Sequence, residues 1–296
     1  MILIYRFKEE LLLKNIALIT NTEKDFDFNN TNALIEYLGN FDAQIFVDKS
    51  CYKKASKNVK AISYEELFIN SDVIITLGGD GTILKCAHLA AAKNIPVLGI
   101  NIGHLGYMTE IDMNEISSIE KLFNNEYNIE QRMLLDISVL RNEKVIFNAL
   151  SLNDIVVSYG HFSRIINLKL LCNKKKIMDY RADGVIICTP TGSTAYSLAA
   201  GGPIIEPLLS AITVTPICAH SLTSKSIVFS DNSILDIVIP SQKADNIFLS
   251  VDGHNNISLN YDDYISVKKS STKFSLIKLN NLSFYEILNK KFAKSN

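Results

Sequence analysis

Val73-Ile74-Ile75-Thr76-Leu77-Gly78-Gly79-Asp80-Gly81-Thr82 decides how the rest of the chain is read. Val73 to Thr76 is a nearly continuous apolar and β-branched run, which reads as a strand buried on both faces of a parallel sheet. Thr82 to Lys93 is rich in Ala and Leu and reads as a helix with Thr82 as its cap. The glycines therefore sit on a strand-to-helix turn, the corner at which open α/β sheets bind ligands. Gly78, Gly79 and Gly81 leave backbone N–H groups uncovered, and a helix start adds partial positive charge. With Thr82 they form a candidate phosphate loop. Asp80 is out of place there, because a carboxylate repels phosphate. It fits if a metal lies between, or if it takes a proton, and both belong to phosphoryl transfer. A tight turn with Asp80 merely capping the helix is the competing reading.

Working outward, Asn15–Thr20 and Ala43–Val47 read as strands, and Asn30–Leu38 and Ser63–Asn70 as helices. Lys53 to Lys60 reads as a solvated connector. Pro96 to Ile100 is a further buried strand, followed by the second glycine turn, Asn101 to Tyr107. Strands alternating with helices imply a parallel sheet, and two glycine turns on one sheet edge would converge on one crevice. Tyr107 offers a flat face for a ring to stack on, or plugs a junction. Asn114 to Asn125 reads as an amphipathic helix.

Near residue 130 the pattern changes to serial β runs. Leu134–Leu140 and Lys144–Leu150 flank a hairpin at 141–143, and Ile165–Cys172 and Lys176–Tyr180 flank another at Asn173-Lys174. Ser193–Ala200 is the one helical candidate. Residues 1–129 are expected to form an α/β domain carrying the glycine loop, and 130–275 a β-rich domain built as a sheet pair.

The composition removes several function classes. A net charge of −1 over 296 residues provides no basic field for a nucleic-acid partner. The five cysteines, at 51, 86, 172, 188 and 218, are scattered without a Cys-x-x-Cys pair, so reduced thiols in a cytoplasmic enzyme are expected rather than zinc or disulfides. Met1 to Leu13 carries four charges and no cleavage site, unlike a signal peptide. No run reaches the roughly 18 apolar residues of a membrane span.

Four constellations lie in the β half. Asn153 and Asp154 interrupt the apolar run 151–157; buried, each needs a partner, which a nucleotide's hydroxyls or amino group could supply, unless the site is a bulge or sheet edge. Arg181 and Asp183 are two apart, so on one strand they share a face and form an ion pair or hold ligand groups. Thr189 to Tyr196 places small hydroxylated residues around Gly192 at a helix start, an anion site or a plain cap. Val251-Asp252-Gly253-His254 has the form of a type I′ turn.

The joint order of these motifs resembles the NAD kinase family over residues from about 15 to 285. The motifs are Gly-Gly-Asp-Gly-Thr at 78–82, Gly-His-Leu-Gly-Tyr at 103–107, Asn-Asp at 153–154, Arg-Ala-Asp-Gly at 181–184, Thr-Pro-Thr-Gly-Ser-Thr-Ala-Tyr-Ser at 189–197 and Asp-Gly-His at 252–254. The first is shared with diacylglycerol and sphingosine kinases. The resemblance implies an α/β domain plus a β-sandwich with the site between them, the tail 276–296 returning to the first domain, and a homodimer or homotetramer. Residues 1–14 look like an extension. It implies transfer of the γ-phosphoryl of ATP to the 2′-hydroxyl of the adenosine ribose of NAD, giving NADP. Asp80 would be the general base, and Mg²⁺ would be carried with ATP, with Asp80 as the side chain it could touch and without a protein cluster of its own. The family's substrate-contacting positions fall on Asp80, Gly81, Tyr107, Asn153, Asp154, Arg181, Asp183, Thr191, Thr194, Ala195, Tyr196, Ser197, Leu198 and Ala199. Lys85, Arg164 and His254 match positions that contact nucleotide in some members. Asp154 departs from the family's usual Glu and is one methylene shorter. The alternatives are a diacylglycerol-type lipid kinase and a non-catalytic NAD-binding regulator. A dehydrogenase is disfavoured, since no Gly-x-Gly-x-x-Gly follows the first strand.

Overall fold

The computed structural model describes residues 13–55, 58–104, 106–160, 165–221, 224–240 and 246–294. Arg164 and most of the 1–14 extension lie outside them. The chain divides into two compact units, one of residues 1–131 and 274–296 and the other of 132–273.

The first unit runs β1 (Asn15–Thr20), α1 (Asn29–Leu38), β2 (Gln44–Asp48), β3 (Lys60–Ile62), α2 (Tyr64–Asn70), β4 (Val73–Gly78), α3 (Asp80–Ala92), β5 (Val97–Asn101), β6 (Ile111–Asp112), a 3-10 stretch (Met113–Ile119) and α4 (Glu120–Phe123). The sheet order is β3-β2-β1-β4-β5, all parallel, with Thr20 opposite Leu77 and Gly78 opposite Asn101. Every residue of β4 is buried, as its unbroken apolar run requires. β1 leads through α1 to β2 on one side, whereas β4 leads through α3 to β5 on the other. The connections thus diverge between β1 and β4, where open α/β sheets form a crevice at the strands' carboxyl ends. Ser63 caps α2 reciprocally with Glu66. The helix expected over 114–125 is broken instead. Glu115 leaves helical geometry (φ −106°, ψ 19°), and only α4 is α-helical.

The second unit contains most of β7 (Asn128–Arg141), then β8 (Lys144–Ser151), β9 (Asp154–Tyr159), β10 (Ile166–Cys172), β11 (Lys175–Ala182), β12 (Gly184–Cys188), a 3-10 turn (Thr191–Thr194), α5 (Tyr196–Ala199), β13 (Ala211–Ile217), β14 (Ile227–Ser230), β15 (Leu235–Val238), β16 (Ile247–Val251), β17 (His254–Leu259) and most of β18 (Tyr264–Lys278). One layer is the antiparallel sheet β14-β13-β12-β9-β16-β17. Its inward residues Ile155, Val157, Val185, Ile187 and Leu249 share one core with Leu168, Leu170, Tyr180, Ile237 and Ile265 of the facing strands. This is a β-sandwich, whose fully buried aliphatic side chains each contribute about 1.5–3 kcal/mol. The two-residue turns Asn142-Glu143 and Asn173-Lys174 both have positive φ, the geometry that lets a tight hairpin follow strand twist.

From Phe274, within β18, the chain belongs to the first unit again. Leu276 pairs in parallel with Val97, and Ile277 and Leu279 join the core of Leu98 and Ile100. Buried Glu110 accepts the backbone N–H of Leu279 (2.9 Å) and Asn280 (2.7 Å) and pairs with Lys278. Helix α6 (Phe284–Lys294) follows. Among the described residues, no helix is long and apolar enough to cross a membrane.

Candidate active site

In the first unit, α3 begins at Asp80, two residues earlier than the sequence pattern suggested. Thr82 sits inside its first turn and accepts the Gly79 N–H through Oγ1 (3.4 Å). The Asp80 carboxylate lies against the second glycine turn. Oδ2 accepts the Tyr107 N–H at 2.7 Å, and Oδ1 accepts those of Met108 (2.9 Å) and Thr109 (3.3 Å). A Cβ at Gly106 would lie 2.1 Å from Asp80 Oδ1. The room left by that glycine is therefore filled by the protein's own carboxylate, not kept for a ligand. A carboxylate offers about four lone-pair positions, so one on Oδ2 is left for a hydroxyl. Tyr107 packs against α6. Lys291 Nζ of α6 sits 3.8 Å from its ring centroid, and the Phe284 ring lies 6.1 Å away, so the cation occupies a ring face that a base could use. Burial, and then the nearby Asp80 charge, raises the Tyr107 pKa. Lys85 is exposed on α3.

In the second unit, Leu152 and Asn153 form the turn from β8 to β9, Asp154 opens β9, and the residue that shapes the turn is Asp252. Its carboxylate accepts Ser151 Oγ (2.7 Å) and the backbone N–H of Leu152 (2.8 Å), Asn153 (2.8 Å) and Asp154 (3.1 Å). Asp252 has φ 51° and Gly253 φ 73°, the I′ pair expected at that turn, which opens β17 at exposed His254. Thr189 clamps the same turn from β12's end. Its N–H donates to Asn153 O (2.9 Å) and its hydroxyl to Leu152 O (2.6 Å). A Cβ at Gly192 would stand 2.1 Å from Asn153 O, so only glycine admits this approach. Asn153 Oδ1 is buried and has no hydrogen-bond partner among the described residues. A buried acceptor left unpaired costs about 1–3 kcal/mol and suits a ligand's donor.

Thr191 and Thr194 belong to the 3-10 turn, where Thr191 Oγ1 accepts from Arg132 (3.3 Å) and Thr194 Oγ1 donates to Thr191 O (3.2 Å). Ala195, Tyr196, Leu198 and Ala199 lie on or beside the surface at the short helix α5, whereas Ser197 is buried against Thr215 (3.0 Å). The hydroxyl of Ser197 is therefore a packing contact. Arg181 and Asp183 do not share a strand face. β11 ends at Ala182 and the chain enters the other sheet at Gly184, so no ion pair joins them among the described residues.

Asp154 is 5 % exposed. Burial, then the negative charge of Asp252, pushes its pKa up to about 7. The folded chain thus holds a proton on Asp154 at pH values where the unfolded chain does not. This contribution to stability is present at low pH, falls as pH rises from about 4 to about 7, and is flat above. Wild type is expected to lose more melting temperature between pH 5 and pH 8 than Asp154→Asn. Parallel curves in differential scanning calorimetry would contradict this.

A family model described as the ATP-NAD kinase N-terminal domain matches residues 16–127, and one described as the ATP-NAD kinase C-terminal domain matches residues 152–279. The chain belongs to the ATP–NAD kinase family. It is 39% identical over 283 residues to the NAD kinase of Thermoanaerobacter sp. (strain X514), covering 95% of this chain and 100% of that one. An NAD kinase of Acetivibrio thermocellus is 35% identical over 274 residues, 92% and 95% of the two chains. Among solved structures, yeast NADH kinase complexed with NADH superposes with a TM-score of 0.85 at 26% identity, covering 95% of this chain and 88% of that one. The NAD kinase from Archaeoglobus fulgidus in complex with ATP shares the fold, with a TM-score of 0.73 at 23% identity over 94% and 98% of the chains. As an ATP–NAD kinase family member the chain is an ATP-dependent kinase. The sequence marks Asp252 and Thr189 only as members of their motifs; their role as clamps escapes it, because each looks like an ordinary turn or strand-end residue. Only the folded chain brings them to the Asn153 turn.

Proposed function

We propose that this chain transfers the γ-phosphoryl of ATP to the 2′-hydroxyl of the adenosine ribose of NAD, giving NADP and ADP. The O2′–P bond forms, the bond from γ-phosphorus to the bridging oxygen breaks, and ADP leaves with that electron pair. Asp80 takes the hydroxyl proton as the new bond forms, because a ribose hydroxyl is too weak an acid to lose it beforehand. The observation that carries this is the Asp80 carboxylate fixed at the head of α3 by three N–H groups with an Oδ2 position to spare. Asn153, Asp154 and the 189–199 turn are assigned to the dinucleotide, and the unpaired Asn153 Oδ1 supports that assignment. Gly81, Lys85, Tyr107, Arg181, Asp183 and His254 are retained as nucleotide contacts on the family pattern alone.

Among the described residues, no three or more His, Cys, Asp or Glu side chains are grouped to hold a metal. The donor set fits Mg²⁺ that arrives on ATP, ligated chiefly by phosphate oxygens and water, with Asp80 the one carboxylate at the loop. Bound so, the ion would neutralise phosphate charge. The free cysteines fit a reducing compartment, and we place the enzyme in the cytoplasm as a homo-oligomer.

The same three hydrogen bonds favour a second reading, in which Asp80 only anchors the 106–109 turn and the base lies elsewhere. The deciding experiment for the reaction is incubation with ATP and either NAD or diacylglycerol. Formation of NADP alone supports the assignment, and phosphorylation of the lipid alone would end it.

A further inference from the structure

Lys24 lies in the loop from β1 to α1, which no motif marked. That loop is tightly drawn. Asn21 N–H bonds to Leu77 O (2.8 Å), and Asn21 O accepts from Lys24 (3.2 Å) and Asp25 (3.0 Å). The adjacent carboxylate, Asp25, is buried and turned to the start of α1, where it accepts from Asn30 and from the backbone and hydroxyl of Thr31. Among the described residues Lys24 has no ion-pair partner. Its ammonium instead lies across both glycine turns. A Cβ at Gly79 would be 3.3 Å from Nζ and one at Gly103 3.2 Å, with the Lys24 stem (Cδ and Cε) 3.9 Å from the latter. Side chains at either position would displace it. The loop leaves the carboxyl end of β1, directly beside β4, at the place where the sheet's connections diverge.

An ammonium held beside two glycine turns at that crevice, with no ion-pair partner among the described residues, offers three donors and a full charge to an anion. We propose that Lys24 binds the β- and γ-phosphates of the donor nucleotide. It would serve the donor side of the reaction, apart from the residues assigned to NAD. This rests on the ATP-dependent kinase reading above. In phosphoryl transfer such a cation matters most as charge gathers on the transferring and leaving oxygens, so its loss should lower turnover as well as affinity.

The test is calorimetric binding of ATP, ADP and AMP, each without NAD, to wild type, Lys24→Met, Lys24→Gln and Lys24→Arg, with steady-state kinetics beside it. Removing the charge is expected to weaken ATP and ADP binding about tenfold or more, the worth of a hydrogen bond to a charged group. AMP and NAD affinities should stay within about twofold, and Lys24→Arg should keep most of the ATP affinity. Lys24 is exposed, so melting temperatures of the folded variants should hold. ATP binding unchanged in the Met and Gln variants would overturn the proposal. So would equal weakening of AMP and ATP, because the contact would then not be to the outer phosphates. The binding series does not depend on NAD turnover, so it separates failure of Lys24 from failure of the kinase assignment, which the wild-type NADP assay reads.

Discussion

Asp80→Asn is expected to lower turnover by about 10²–10⁴, the usual worth of a general base, with NAD affinity largely intact. The exchange removes a proton acceptor and keeps the shape. The amide retains one acceptor oxygen, which can still receive from part of the 107–109 turn. Its NH₂ group then opposes a backbone N–H that has lost its acceptor. Two effects are therefore mixed, and two measurements part them. Lost chemistry appears in kcat with the melting temperature preserved. A lost anchor appears as lower stability and weaker binding, with kcat near wild type at saturation. The second pattern would assign Asp80 to architecture and leave the base to be found.

Asp252→Ala is expected to cost about 3 kcal/mol or more of folding free energy and to abolish tight NAD binding. A single carboxylate there receives one hydroxyl and three consecutive backbone N–H groups. Hydrogen bonds to charged groups are worth about 1.5–3 kcal/mol each, and donors left without acceptors carry a desolvation penalty besides. Without the clamp, the Asn153 amide and the Asp154 carboxyl lose the backbone that aims them. Urea unfolding measures the first effect and calorimetry the second. A variant with a wild-type midpoint and wild-type NAD affinity would show that Thr189 holds the turn alone.

What the sequence makes legible follows from locality. The Val73–Thr82 stretch declares itself because a β-branched run, a glycine corner and an Ala-rich helix each have physics within a few residues. The hairpins at Asn142-Glu143, Asn173-Lys174 and Asp252-Gly253 are readable for the same reason, since positive φ at two adjacent positions favours few residue types. The misses are contacts of long sequence separation. Asp252 meets Asn153 across about a hundred residues. Lys291 reaches Tyr107 from the tail, and Gly106 owes its identity to Asp80 rather than to a ligand. The Arg181–Asp183 spacing misleads because a strand face was assumed across a point where the chain changes sheets. The broken helix at 113–123 misleads because apolar periodicity does not report one residue's departure at Glu115.

The two-segment make-up of the first unit bears on synthesis. Val97, Leu98, Ile100 and Glu110 leave the ribosome long before Leu276, Ile277 and Leu279, the side chains and backbone that complete them. All of 132–273 must be translated in the interval, which at 5–20 residues per second is on the order of ten seconds. Throughout that wait Val97 lacks its partner on the outer side of β5, where β6 pairs only Ile100 and Asn101, and Glu110 lacks Lys278 and the two N–H groups it receives. The sandwich, whose residues are contiguous, can finish first, and the earlier-made half must stay folding-competent until its last strand is delivered.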